Sequence, residues 1–349
     1  MRVIYKDKEN VKMQVQSMDD LWYLSQIAEP GDIASGKTER KVKLGSGTDA
    51  KSASVKKTFF ISLLIEKIEF HKYSNNLRIS GKVTQGPEEI PSGSYHTFDV
   101  EAGTILTITK GVWQRYHLDR LKEASKPEQP KVLVVVFDRE EVFFSLLRSY
   151  GYDMLSGFKG DIEKKDMPEK AKGNFYADIA KQIIEYDARY SFHRIVLASP
   201  AFWKEYLLKE LPDEIRKRTV LASCNSVGQS AIGEVLSRPE VQTALKDDRV
   251  IKEVAAVDEL LSEINKSGLA AYGITDTENA VNMGAAKLLL LTDSMIRKSR
   301  ESGTYANVDR IMRAAESTRS HILIVSSDHE GGKKLDGLGG IGAVLRYRI

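Results

Sequence analysis

Asp19, Asp20 and Asp32 stand shortly before a dense run of cations. Between Gly36 and Lys57 the chain carries Lys37, Arg40, Lys41, Lys43, Lys51, Lys56 and Lys57 against only Glu39 and Asp49, seven minus two or +5. Carboxylates that hold a divalent cation beside a phosphate-attracting surface are the parts a phosphodiester-cleaving site needs. The same aspartates have a plainer use. Ser17 with Asp20 three residues on is a helix-capping pattern, and Pro30-Gly31-Asp32 is a turn. Capping and turn formation are commoner uses of aspartate than catalysis, so the three are candidates for a metal-dependent nuclease and nothing firmer.

Other reactive constellations are incomplete. Gly45-Ser46-Gly47 has no third glycine and opens no helix, and Gly331-Gly332-Lys333-Lys334 lacks the strand-to-loop spacing of a phosphate cradle. No intrinsic cofactor is expected, except a divalent metal cation if the chain is a nuclease. Nucleotide chemistry must come from a partner. The single cysteine, Cys224, rules out an intrachain disulfide and a multi-cysteine metal site, and at the end of an apolar run it reads as core. The six histidines are scattered singly, without the spacing of a zinc helix. Asp328-His329-Glu330 places three potential ligands side by side, but neighbours in an extended loop cannot all face one ion. Val227-Gly228-Gln229 lacks the first glycine of the Gly-Gly-Gln loop that releases peptides and reads as a strand-to-helix turn. A second basic stretch, Leu155–Phe175, carries Lys159, Lys164 and Lys165 among four acids, a mixed-charge loop able to lie along RNA through its lysines.

The elements that must carry these residues fall into blocks. The 349 residues are 42% hydrophobic and 29% charged with net charge +3, ordinary for globular protein and long enough for two or three cores. No stretch is apolar enough to span a membrane, and the opening residues have no signal core, which predicts a cytoplasmic protein. Residues 1–125 alternate in short strands (Val11–Gln16, Ile61–Ile68, Leu77–Val83, Thr104–Thr109) with turn signals between them, predicting a small barrel or sandwich. One helix follows Ser17. The basic run 36–57 then reads as a long loop hanging from that rigid sheet. After the linker Ser125-Lys126-Pro127-Glu128-Gln129-Pro130 the pattern turns to α/β. Val132–Phe137, Arg194–Ala198 and Val220–Ala222 read as buried strands alternating with helices over 131–250. A third layered α/β unit of strands and helices occupies 253–349.

Three stretches, in order, resemble the Pelota family of ribosome-rescue and mRNA-surveillance factors, in its archaeal form. The first is Leu21-Trp22-Tyr23-Leu24 with Pro30-Gly31-Asp32, Thr38 and Arg40-Lys41-Val42, then Leu77–Gly81 and Gly93–Thr97. The second is Ala198-Ser199-Pro200-Ala201-Phe202 with Ser226–Leu236. The third is Ala271-Tyr272-Gly273, Asn282–Ala285, Leu290–Asp293 and the ending from His329-Glu330-Gly331 through Tyr347, shared with class-one release factors. Ala201 departs from the family, where a glycine is usual. The resemblance implies a multidomain α+β and α/β fold: an Sm-like N-terminal β-barrel, a central α/β domain on the release-factor plan and a C-terminal L7Ae-like domain. It implies a monomeric tRNA mimic that enters the empty A site, meeting rRNA and mRNA. A GTP-bound translational GTPase resembling an elongation factor would deliver it, and a ribosome-splitting ABC ATPase would follow. Lys37, Thr38, Arg40, Lys41, Lys43, Lys51, Lys56, Lys57, Lys159, Lys164 and Lys165 would meet RNA; Pro200, Ala201, Phe202, His329, Arg346 and Tyr347 would meet the GTPase. The family is also credited with metal-dependent RNA cleavage by its N-terminal domain, although a non-catalytic adaptor is the expectation here. The basic run holds no aromatic side chain, which disfavours base-specific readout.

Overall fold

The computed structural model describes residues 1–43, 54–71, 74–126, 131–160, 175–246 and 248–349; for 40–43 and 54–56 it describes the backbone path alone. The chain forms two compact units, Met1–Pro127 and Glu128–Ile349.

The first unit is built from β1 (Arg2–Lys6), β2 (Asn10–Gln14), α1 (Met18–Ile27), β3 (Ile33–Lys43), β4 (Ser54–His71), β5 (Asn76–Gln85), β6 (Tyr95–Val100), β7 (Ile105–Thr109) and α2 (Arg115–Ala124). The strands make one antiparallel sheet in the order β1-β2-β7-β3-β4-β5-β6. Alternation along β4 sends Phe59, Ile61, Leu63 and Ile65 into the core and leaves Phe60 and Leu64 exposed. The sheet curls until the Thr38 hydroxyl of β3 lies 3.0 Å from His96 Nε2 of β6, with β4 and β5 between them in the sheet order. Ser17 caps α1 through the predicted box with Asp20, and Leu21, Trp22, Tyr23, Leu24 and Ile27 are buried behind it.

The long loop expected from Gly36 to Lys57 is corrected by the structure. β3 and β4 pair residue by residue from Gly36↔Ile61 to Lys43↔Ser54, so the basic run is a two-stranded ribbon; residues 44–53, with Lys51, lie outside the described residues. Charge density shows only that this segment cannot be buried. It does not choose between loop and ribbon, and the β-branched Thr38, Val42, Val55 and Thr58 favour the ribbon.

The second unit begins with β8 (Val132–Phe137), β9 (Glu141–Arg148), β10 (Gly151–Lys159), α3 (Phe175–Tyr190), β11 (Arg194–Ser199), α4 (Trp203–Glu210), α5 (Asp213–Arg216), β12 (Thr219–Ser223), α6 (Gln229–Leu236) and α7 (Pro239–Ala244). Its sheet runs β10-β9-β8-β11-β12, parallel across β8, β11 and β12 and antiparallel across the other pairs. Apolar clusters cover both faces, which accounts for the continuous run Val132–Phe137. The hairpin β9–β10 has no counterpart among the strands expected from sequence. Its first strand is buried without a break from Phe144 to Leu147 and so loses its alternation there, and its second runs into the segment read as a loop.

The remainder comprises α8 (Arg249–Asn265), β13 (Ala270–Tyr272), α9 (Ile274–Asn282), β14 (Ala286–Thr292), α10 (Asp293–Glu301), α11 (Tyr305–Ser317), β15 (His321–Val325), α12 (Glu330–Gly337) and β16 (Ile341–Leu345), with sheet order β13-β16-β14-β15. The chain is thus a multidomain protein of mixed sheets and helices. Helix α12 contains Gly331, Gly332 and Gly337, residues that disfavour a helix. Close packing demands Gly332 and leaves Gly331 little room. A Cβ on Gly332 would lie 1.9 Å from the Ser326 carbonyl oxygen, and one on Gly331 3.3 Å from the Val254 backbone.

Candidate nucleic-acid interface

The register of the ribbon sets Arg40 opposite Lys57 and Lys41 opposite Lys56. Like charges directly opposed weaken a ladder, and an anion bound at these positions would offset that repulsion. Lys37 is exposed and pairs in register with Phe60, whose ring is 61% exposed. The Lys57 ammonium is 4.0 Å from the Glu89 carboxylate with both side chains half in solvent, an interaction worth little. Thr38 is partly committed to His96. Lys159 is exposed on β10, 3.7 Å from Glu141, whereas Lys164 and Lys165 lie outside the described residues. Phe60 falls just beyond the aromatic-free run; its signal in the sequence is that Phe59-Phe60 on an alternating strand must send one ring outward.

The acidic candidates are already occupied by the protein's own cations and amides. Asp20 Oδ1 accepts a 2.6 Å bond from the terminal ammonium, and Oδ2 accepts from the amides of Gln16 and Ser17. Asp19 is buried. Asp32 Oδ2 accepts from Lys110 Nζ at 2.6 Å and from the Glu29 amide at 2.8 Å. Lys110 also reaches Glu29, 2.9 Å away, and His117 Nε2 lies 3.1 Å from the same Glu29 oxygen. Burial pushes the Asp32 carboxyl above its ordinary range, with Lys110 opposing. A divalent ion at Asp32 would have to displace that buried ammonium. Among the described residues no group of three or more His, Cys, Asp or Glu is arranged to hold a metal.

The turn after β11 presents Pro200, Ala201 and Phe202, the last 76% exposed. Among the described residues, positive φ outside glycine occurs at Asn75, Ser191, Ser267 and Arg319, so the methyl of Ala201 introduces no backbone strain. The Ala201 carbonyl accepts from Ser199 Oγ at 2.6 Å and from Lys204 Nζ at 3.1 Å, and the same ammonium reaches Ser223 Oγ. Phe202 therefore projects from a braced turn. Beyond it Tyr206 of α4 is also exposed.

His329, expected at a partner surface, is instead 1% exposed. Its Nδ1 accepts from the Gly332 amide at 3.2 Å and caps α12, which leaves Nε2 to donate to Glu253, 2.9 Å away. Glu253 is fully buried, 2.6 Å from Arg249, and accepts from the Ser326 amide. Ser326 Oγ in turn donates to the Tyr150 carbonyl at the β9–β10 turn. The sequence shows these residues singly; only the fold joins them. Arg346 donates to the carbonyls of Gly284, Thr318 and Arg319, binding the ends of α9 and α11, while the half-exposed Tyr347 donates to Met283.

Two family models match the chain, one for the Pelota N-terminal domain over residues 1–125 and one for eRF1 domain 3 over residues 250–349. The pelota homolog of Methanococcus maripaludis strain C5 is 35% identical over 358 residues, covering 100% of both chains. That of Thermococcus kodakarensis is 36% identical over 356 residues, covering 99% of this chain and 98% of its own. The crystal structure of the Thermoplasma acidophilum Pelota protein superimposes with a TM-score of 0.74 at 23% identity over 100% of both chains. Yeast Dom34, described as a translation termination-like factor involved in RNA quality control pathways and interacting with Hbs1, gives 0.54 at 23% identity over 100% of this chain and 99% of its own. Among the described residues no helix is long and apolar enough to cross a membrane.

Proposed function

The chain belongs to the Pelota family, and on that premise we propose that it recognises stalled ribosomes in mRNA surveillance. It binds the empty A site as a tRNA and release-factor mimic, with a translational GTPase, and promotes dissociation together with an ABC ATPase. It leaves peptidyl-tRNA intact: the sequence contains no Gly-Gly-Gln, and its nearest approach, Gly228-Gln229, caps and opens helix α6. GTP and ATP are hydrolysed by the partners.

The observation that carries this reading is the β3–β4 ribbon, with like charges opposed in register and few carboxylates to satisfy them. A surface of that kind attracts phosphate without regard to sequence. A factor that must act on any stalled codon needs that property. Stalled ribosomes reconstituted with the GTPase and ABC ATPase test it. The triple variant Arg40→Ala/Lys41→Ala/Lys43→Ala is expected to split them more slowly and with a shallower salt dependence. Splitting at the wild-type rate across the salt series removes the ribbon from the mechanism.

A further inference from the structure

On one face of the N-terminal sheet, two exposed aromatic residues are each paired in register with a lysine. Phe60, 61% exposed, is paired in register with exposed Lys37. Tyr95, 65% exposed, is paired with Lys82, whose Nζ lies 5.4 Å from the ring centroid. The two pairs share one face. Phe60 and Leu64 are four residues apart on β4, both exposed, and Leu64, Lys82 and Tyr95 are consecutive partners across β4, β5 and β6. Four residues of strand span about 13 Å and two strand spacings about 10 Å, a separation that a few nucleotides bridge. Glu66, 3.4 Å from Lys82, is the carboxylate beside the second pair.

We propose that this face is a stacking platform for single-stranded RNA, with Phe60 and Tyr95 each receiving a nucleobase and Lys37 and Lys82 the adjoining phosphates. The occupant follows from charge complementarity. A ring flanked by a cation, repeated at nucleotide-scale spacing, matches a strand that alternates bases with anionic phosphates. A protein partner could use the rings but would have to supply its own carboxylates at the same repeat. The platform rests on the RNA-facing reading of this domain and deepens it. The ribbon supplies sequence-independent attraction, and the rings hold unpaired bases, such as those of mRNA left exposed in an empty decoding site.

The test is fluorescence anisotropy of a short labelled oligoadenylate with the full-length protein across a salt series. Phe60→Ala and Tyr95→Ala are each expected to weaken binding about tenfold, the scale of one stacked base, at unchanged salt slope. Phe60→Trp should restore binding, whereas Phe60→Leu, apolar but without a π face, should behave like alanine. Thermal unfolding of each variant checks the fold, which exposed positions tolerate. Wild-type affinity in the alanine variants, wild-type affinity in Phe60→Leu, or an altered salt slope overturns the platform. Ribosome splitting in parallel separates the two readings. Intact splitting by alanine variants that bind the oligonucleotide normally ends the platform and leaves the function standing. A wild-type protein that binds the oligonucleotide but not stalled ribosomes ends the function.

Discussion

The β3–β4 ribbon and the junction around Glu253 use charge in opposite ways. In the ribbon, cations face cations in register and side chains with described exposure, such as Lys37 and Lys57, lie in solvent. At the junction Glu253 and His329 are buried, the Arg249 side chain is 9% exposed, and Arg249 and His329 meet the one carboxylate. The first arrangement sets like charges against one another in register. The second sets unlike charges against one another and joins the β9–β10 turn to the loop leading into α12 through Ser326 and Tyr150. Exposed like charges thus mark a surface for a partner, and buried unlike charges mark a joint the protein keeps for itself.

The largest effect should come from breaking the joint. Glu253→Ala removes the carboxylate that the Arg249 guanidinium and the His329 imidazole share, and such losses amount to about 3–5 kcal/mol. Chemical denaturation should show that loss in the Glu128–Ile349 unit, and a change under about 1 kcal/mol would mean the junction is wetter or looser than its geometry. Neutralising the ribbon should do the reverse. Lys37→Ala/Arg40→Ala/Lys41→Ala/Lys43→Ala should leave unfolding almost unchanged yet lower the slope of log K against log salt by about 0.7–0.9 for each phosphate the ribbon ceases to neutralise. A large stability loss with an unaltered slope would abolish the contrast.

A smaller effect tests the edge of the joint. Asp248 caps α8 through the amides of Val250 and Ile251. Burial, against those two bonds and reinforced by Glu253, raises its carboxyl to about 6. The sign follows. Above pH 6 the group is ionised in both states and the folded state bears the burial penalty, which fades as pH falls from about 6 towards 4. Asp248→Asn keeps an equally good cap without the charge. It should stabilise the protein by about 1–2 kcal/mol at pH 7.5, and the advantage should vanish near pH 4. Thermal unfolding at the two pH values reads the difference directly. Cys224 offers a control of the interior: burial, then Glu234, raises its thiol to about 11, so thiol-specific dyes should label it only after unfolding.

How far each region could be read from sequence follows the same division. Helix α1, its Ser17–Asp20 box and the core of β8 were legible because capping and continuous apolar runs are local signals. The cations of the ribbon were legible as composition, but their pairing was not, since register depends on a partner strand later in the chain. The joint was illegible. Arg249 and Glu253 are one helical turn apart, but His329 lies 76 positions beyond Glu253 and Tyr150 176 positions before Ser326. Helix α12 was hidden by its glycines, which helix propensity opposes and of which packing requires Gly332.

The finest test converts one arrangement into the other. Lys57 stands opposite Arg40, so Lys57→Glu replaces a like pair by an unlike one at the same register position. Cross-strand pairs of opposite charge contribute about 0.2–1 kcal/mol, and the ribbon should become slightly more stable as its attraction for phosphate falls. The local gain is too small for global unfolding of a chain of two units but suits amide hydrogen exchange, where about 0.5 kcal/mol is roughly a twofold rise in protection of β3 and β4. RNA and ribosome affinity should fall further than in Lys57→Ala, because the glutamate both removes a cation and occupies its neighbour. If protection rises while affinity holds, the like charges weaken the strand pairing without serving the phosphate. If protection and affinity move in opposite directions, the ribbon is a surface whose own stability is lowered by the charges that make it bind.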